Sequence, residues 1–205
     1  MELPEVAKKR RARRAVIAFA AMTAIGVLLV AGLLALRVAF APYELDGPAM
    51  EPTYFDGDRV AVERGADIAR GDVVIIRRPE EGIDIVKRVI AIGGDHVAIE
   101  DDVIVLNGER IEPRLLGPAQ GEDPEMICAE ERLGDASWRI VWSETSAPSS
   151  TPEQAISAGH VFVLGDHRDR SNDSRNPRIG AVPLDQVLGR VTSTYAQGPQ
   201  TVSCP

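Results

Sequence analysis

Positions 15–36 (AVIAFAAMTAIGVLLVAGLLAL) run for 22 residues without a charge. As a helix at ~1.5 Å per residue this stretch spans about 33 Å, enough to cross a bilayer core of ~30 Å. A buried soluble helix would carry a polar stripe, and none is visible. After Arg37 the period shortens to β-branched runs separated by turn residues. These predict strands over 58–63, 72–78, 84–92, 96–100 and 103–106. Asn107-Gly108 is a type I′ hairpin signal, with 109–111 as the return strand. Further strands are predicted over 139–143, 160–164 and 187–195. No stretch beyond the anchor keeps helical periodicity over ten residues. The fold class is therefore mainly β, preceded by one N-terminal transmembrane helix.

Segment 113–158 breaks this rhythm, because Pro, Gly, Ser, Glu and Asp dominate and only 139–143 resembles a strand. It reads as an inserted cap on a β core made of 42–112 and 159–198. Residues 1–14 form a basic tail and 199–205 a C-terminal tail.

Charge adds a direction. The net charge of -8 divides into +4 over residues 1–14, which hold Lys8, Lys9, Arg10, Arg11, Arg13 and Arg14, and -12 over the rest. The basic block keeps the N-terminus cytoplasmic and places everything after Arg37 outside the membrane. An acidic body offers no broad footprint for nucleic acid. Ala39-Phe40-Ala41 reads as a signal-peptide cleavage site. However, the apolar run exceeds the ~7–15 residues of such a segment and Pro42 would follow the cut, so an uncleaved anchor is expected. Cys128 and Cys204 both fall on the oxidising side, where they either pair or remain two thiols. His96, His160 and His167 are scattered and no C-x-x-C motif occurs, so no metal site or cofactor is expected.

Three segments carry candidate chemistry. The first, 43–53 (YELDGPAMEPT), is held to a fixed path by Gly47, Pro48 and Pro52, and by itself reads as a rigid connector. The second is Lys87 in 84–90 (DIVKRVI). Strand alternation puts it between Ile85 and Val89 on one face, opposite Val86, Arg88 and Ile90. A lysine in apolar surroundings loses hydration of its charged form, and its pKa falls toward that of a general base. The competing reading is a lysine snorkelling to solvent. The third, 165–175 (GDHRDRSNDSR), is a solvated charged turn, a poorly spaced calcium loop, or a self-paired network that braces a site.

Taken in order, the three segments resemble the motifs of type I signal peptidases, membrane-anchored serine endopeptidases with a Ser/Lys dyad. Ala49-Met50-Glu51-Pro52-Thr53 is similar to the family's Ser-Met-x-Pro-Thr. Lys87-Arg88 with the apolar run to Gly94-Asp95 is similar to its lysine motif, and 165–175 to its Gly-Asp-Asn-Arg-x-x-Ser-x-Asp-Ser-Arg, with His167 in place of Asn. The resemblance covers about 15–112 and 160–195, leaving the cap unmatched. It implies a signal-peptidase-like β-barrel or β-sheet ectodomain with Lys87 as general base and Ser171 orienting it. Met50, Asp166, Asp173 and Arg175 would be the support. It also implies secretory preproteins as substrates, cut after small-x-small sites, and a bacterial inner-membrane location with the catalytic domain outside. Tyr43, Leu45, Ile85 and Val86 are the expected substrate pocket. Tyr54 and Phe55 would either dip into the membrane surface or pack in the core.

One position departs decisively. The family's nucleophile position holds Ala49, which has no group to attack a carbonyl, so the chain is expected to be inactive. Either a nucleophile knockout or a natural pseudopeptidase that binds signal peptides explains it. The retention of Lys87, Ser171, Asp173 and Arg175 favours the knockout.

Overall fold

A computed structural model of the chain describes residues 4–78, 80, 82–121 and 125–205. It divides into two units, 1–40 and 41–205, each taken by itself. The first is α1 (Pro4–Ala39), in which Lys9–Leu33 is long and apolar enough to cross a membrane. From Val16 to Leu33 its described large apolar side chains are each more than half exposed. This apolar cylinder lacks the buried face of a soluble core helix.

The second unit is built from strands. Chain order gives β1 (Phe40–Glu44), β2 (Arg59–Glu63), β3 (Val73–Arg78), β4 (Ile83–Ile92), β5 (His96–Glu100), β6 (Val103–Leu106) and β7 (Glu109–Ile111). Next come β8 (Arg114–Pro118), β9 (Gln120–Gly121), β10 (Met126–Leu133), β11 (Ala136–Ser143) and β12 (Thr151–Ala155). The last are β13 (His160–Leu164), β14 (Val182–Pro183), β15 (Val187–Ala196) and β16 (Val202–Ser203). Seven strands form the main sheet in the order β1-β2-β15-β3-β4-β13-β14. Sheets β12-β5-β6-β7, β11-β10-β8 and β16-β9 complete the unit. The mainly β expectation holds, and every strand predicted from pattern is present within a few residues.

Segment 113–158 is where pattern reading failed. It holds β8, β9, β10, β11 and β12 rather than a single strand. In β10 the paired acids Glu130 and Glu131 break the apolar alternation. Glu131 is nevertheless fully buried, because it accepts from Trp138 Nε1 at 3.0 Å and pairs with Arg168. A paired buried charge reads as a loop residue in sequence and sits as a core residue in the fold. Ala129, Trp138, Ile140 and Ile156 share one cluster with Ile90 and Phe162 of the main sheet. Strand β1 was missed because of Pro42, which a sheet tolerates at its edge, and β1 is an edge strand.

Tyr54 and Phe55 belong to the core. Phe55 is 6% exposed and clusters with Met126, Cys128, Val141 and Val202, while Tyr54 packs against the cluster around Met50. The membrane-dipping alternative is corrected for Phe55, whose ring is already buried against protein and has no apolar surface left to give to lipid, while Tyr54 is half-buried. Cys128 and Cys204 are joined as a disulfide with 5.6 Å between Cα atoms, fastening the C-terminal tail beside β10.

Candidate active site

Residue 49 lies in the turn that follows β1, between Pro48 and the buried Met50. The turn is tied by main-chain bonds from Thr53 and Tyr54 N–H to the Met50 carbonyl, at 2.8 and 2.9 Å. A second tie comes from the loop after β13, where the His167 N–H donates to the Ala49 carbonyl at 3.1 Å. Gly165 permits that approach. A Cβ there would collide with both Ser171 Oγ and the Ala49 carbonyl oxygen, which no side chain could meet without displacing the loop. The Ala49 N–H itself has no hydrogen-bond partner among the described residues.

Lys87 sits in β4, where residues 86–91 are buried on both faces. Its side chain is inside and not snorkelling: the residue is 3% exposed, and Nζ donates to the Val86 carbonyl at 2.7 Å. Burial lowers its pKa to about 8, with the Asp173 and Asp166 carboxylates pulling weakly the other way. Ala49, Val86 and Lys87 line one cleft of about 260 Å³, together with Asp46, Ile85 and Asn172.

Loop 165–175 forms the self-paired network. Asp173 is buried and accepts from Gly165 N at 3.0 Å and from Arg175 Nε and Nη2 at 2.8 and 2.9 Å. Burial would raise its carboxyl, but these donors outweigh burial and hold it below the usual carboxylate range. Asp166 is clasped by Arg88 through Nε at 2.8 Å and Nη2 at 2.6 Å, and also accepts from the Thr53 hydroxyl. The Arg88 guanidinium lies 4.7 Å from the Trp138 ring centroid. Ser171 Oγ is buried without a hydrogen-bond partner of good geometry, in the packed corner beside Gly165. Among the described residues no group of His, Cys, Asp or Glu is arranged to hold a metal ion.

The family model described as "Signal peptidase, peptidase S26" matches residues 16–196. The chain belongs to the signal peptidase family. Signal peptidase I of Bacillus licheniformis is 33% identical over 81% of this chain and 82% of its own length. Signal peptidase I T of Bacillus subtilis is 32% identical over 79% and 78%, respectively. Signal peptidase I of Pseudomonas aeruginosa is 31% identical over 77% of this chain and 65% of its own.

The residue-49 turn, Lys87 and the 165–175 loop lie side by side in the fold. The three motif segments converge because β4 and β13 are neighbours and the 165–175 loop folds back onto the residue-49 turn. Of the expected pocket residues, Ile85 and Val86 line the cleft with Ala49. Tyr43 lies in an adjoining depression with Ile83 and Asp84. Leu45 does not belong. It is 5% exposed and turned into the cluster around Met50 and Val86, just past the end of β1, where its N–H donates to the Asp58 carbonyl at 2.8 Å. Sequence reasoning missed Arg88 and Thr53 as partners of Asp166, and Asp46 and Asn172 as cleft walls. Only the apolar flanks of Arg88 signalled its burial; the others sit in turns without periodicity.

Proposed function

We propose that this chain is the body of a membrane-anchored signal peptidase I that binds secretory preproteins at small-x-small sites and, with alanine at position 49, does not cleave them. The observation that carries the reading is the shared cleft. A buried lysine with its amine held near pKa 8 lines the same cleft as residue 49, whose N–H is unpaired among the described residues. With serine at 49, neutral Lys87 would take the hydroxyl proton and the oxygen would attack the scissile carbonyl. The residue-49 N–H supports the resulting oxyanion, and Gly47 adds no second donor, since its N–H is bonded to Asp56 at 2.8 Å. The Lys87 ammonium would then protonate the leaving amine as the C–N bond breaks. Water, deprotonated by the same lysine, would release the acyl group. Asp166, Asp173 and Arg175 brace the wall and Met50 packs beneath the turn; the motif match alone gives Ser171 the role of orienting the amine, and its Oγ makes no hydrogen bond to Lys87 here. The N-terminal helix would hold this site at the outer face of the bacterial inner membrane, its basic end cytoplasmic.

The strand edges support how a preprotein binds. On its β13 side, β4 is paired only from Arg88 onward, which leaves 83–87 open, and the outer edge of β1 is open as well. An extended peptide adding there would present a small side chain to Ile85 and Val86. Ala49→Ser in detergent should cut a preprotein at its small-x-small site, and Ala49→Ser with Lys87→Met should not. A restored protein that leaves every preprotein intact would sink the reading. The natural-pseudopeptidase alternative rests on Ala49 alone, whereas the intact Lys87 support favours a site whose serine was removed.

A further inference from the structure

The main chain reverses at residue 49. The Glu51 N–H donates to the Pro48 carbonyl at 3.1 Å, closing a turn over 48–51 with Ala49 and Met50 at its corner. The N–H of the first corner residue takes no part in the bond that closes such a turn. Glu51, the closing residue, has no part in the proton transfers assigned to Lys87, and yet it is 5% exposed. A carboxylate is held in such a place only against partners. It has two, from distant parts of the chain. His167, itself 1% exposed, sets Nδ1 3.2 Å from Glu51 Oε2, and the Thr201 hydroxyl donates to Oε1. A carboxylate only accepts, so Nδ1 is the donor. The other ring nitrogen, Nε2, is buried with no partner among the described residues, which leaves Glu51 as the ring's described hold.

His167 takes the turn at two points. Its N–H donates to the Ala49 carbonyl at 3.1 Å while its ring donates to Glu51, so one residue ties both the corner and the close. The loop around His167 is itself fixed to β11. The Val141 N–H donates to the Asp166 carbonyl at 3.0 Å, and the Arg168 N–H donates to the Val141 carbonyl at 2.9 Å. The same loop runs on to Asn172, which shares the cleft with Lys87 and Ala49. Tying the turn to this loop therefore ties residue 49 to the wall that holds the lysine. The sequence sets the pair apart as well. Glu51 fills the unspecified position of Ser-Met-x-Pro-Thr, and His167 stands in place of the Asn of Gly-Asp-Asn-Arg. These two positions meet in the fold.

We propose that Glu51 is a positioning residue for the cleavage reaction: held between His167 and Thr201, it aligns the residue-49 N–H and the nucleophile with the scissile carbonyl. Glu51 acts through the turn and touches no reacting atom. The inference rests on the signal peptidase reading and adds the device that keeps its two halves in register.

The test uses the full chain in detergent, with Ala49→Ser as the parent. Adding Glu51→Ala should lower kcat by up to about a hundredfold, the scale of a reacting group displaced by an ångström, with KM unchanged. Adding Glu51→Gln instead should restore most of the rate, because its carbonyl accepts from His167 while its amide donates to the Thr201 oxygen. Combining Glu51→Ala with His167→Ala should cost little more than Glu51→Ala alone, since the two residues act as one unit. In the chain that keeps Ala49, Glu51→Ala should bind a small-x-small peptide as tightly as the parent does. Thr201→Val removes one hydroxyl at an exposed position and should lower kcat about tenfold, again at unchanged KM. Where Glu51→Ala does not fold, the Thr201→Val rate decides. Parental kcat in Glu51→Ala or Thr201→Val would overturn the proposal and leave the signal peptidase reading standing. So would a Gln variant as slow as the Ala variant, or peptide binding lost in step with kcat. An Ala49→Ser parent that cuts no preprotein would remove both.

Discussion

Lys87 illustrates how one side chain can be set by its surroundings. Its amine is surrounded by the β4 neighbours and the 165–175 loop, and burial moves its pKa from the ordinary lysine value to about 8. In an Ala49→Ser protein, kcat/KM should therefore rise with pH and level off above about 8, as the lysine becomes neutral. A profile that is flat between pH 6 and pH 9 would remove Lys87 from the role of base. The lowered pKa also carries a stability consequence. The folded pKa lies below the unfolded one, so the fold gains from this group only at alkaline pH, and that gain is lost as pH falls from about 10 to about 8. Below that window the buried charge costs on the order of 3 kcal/mol, since each tenfold loss of proton affinity is worth ~1.4 kcal/mol. Lys87→Met should abolish this pH dependence in urea unfolding, and the variant should be the more stable protein at pH 7.

Among the elements, β4 does two jobs along its length. From Arg88 to Ile92 it pairs with β13 and builds the core, while 83–87 leaves one edge open beside residue 49. The switch from paired to open occurs at Lys87 and Arg88, so Lys87, the proposed base, sits at the end of the open segment. If a peptide adds as a strand there, filling the wall should block it without harming the sheet. Ile85→Trp should reduce kcat/KM of the restored enzyme by about a hundredfold, the scale of placing a bulky side chain in a methyl-sized pocket. Its unfolding midpoint should change little, because Ile85 is only partly buried. Activity equal to that of the parent would move the substrate elsewhere.

At the scale of the molecule, the C-terminal tail is fastened to the fold at three separate places: the residue-49 turn, the chain just before β2, and β10. Thr201 donates to Glu51, the Gly198 N–H donates to Asp58 at 2.7 Å, and Cys204 is joined to Cys128 across 76 residues. Closing a loop of that length should stabilise the fold by about 4 kcal/mol. Cys204→Ser should lower the urea midpoint accordingly, and reduction of the parent should reproduce the loss. If reduced and oxidised proteins unfold at the same urea concentration, the tail contributes nothing to the fold.

Several features were legible in the sequence because each depends on local or periodic information. The uncharged run of 15–36, the alternation in β2 to β6 and the Asn107-Gly108 turn need only near neighbours to be read. The motif order grouped residues 49, 87 and 165–175 as one expected site, with Ala49 where the resemblance implies a serine. Tertiary structure decided the rest. Whether Lys87 is buried, whether Cys128 meets Cys204, whether Leu45 faces the cleft, and whether Glu131 is a loop or core residue depend on groups distant in the chain. Arg168 neutralises Glu131 from 37 residues away, and Asp166 holds Arg88 from 78. A charge or turn residue in sequence carries no sign of its partner. The cost of burying it is settled only when the fold brings that partner within a few ångströms.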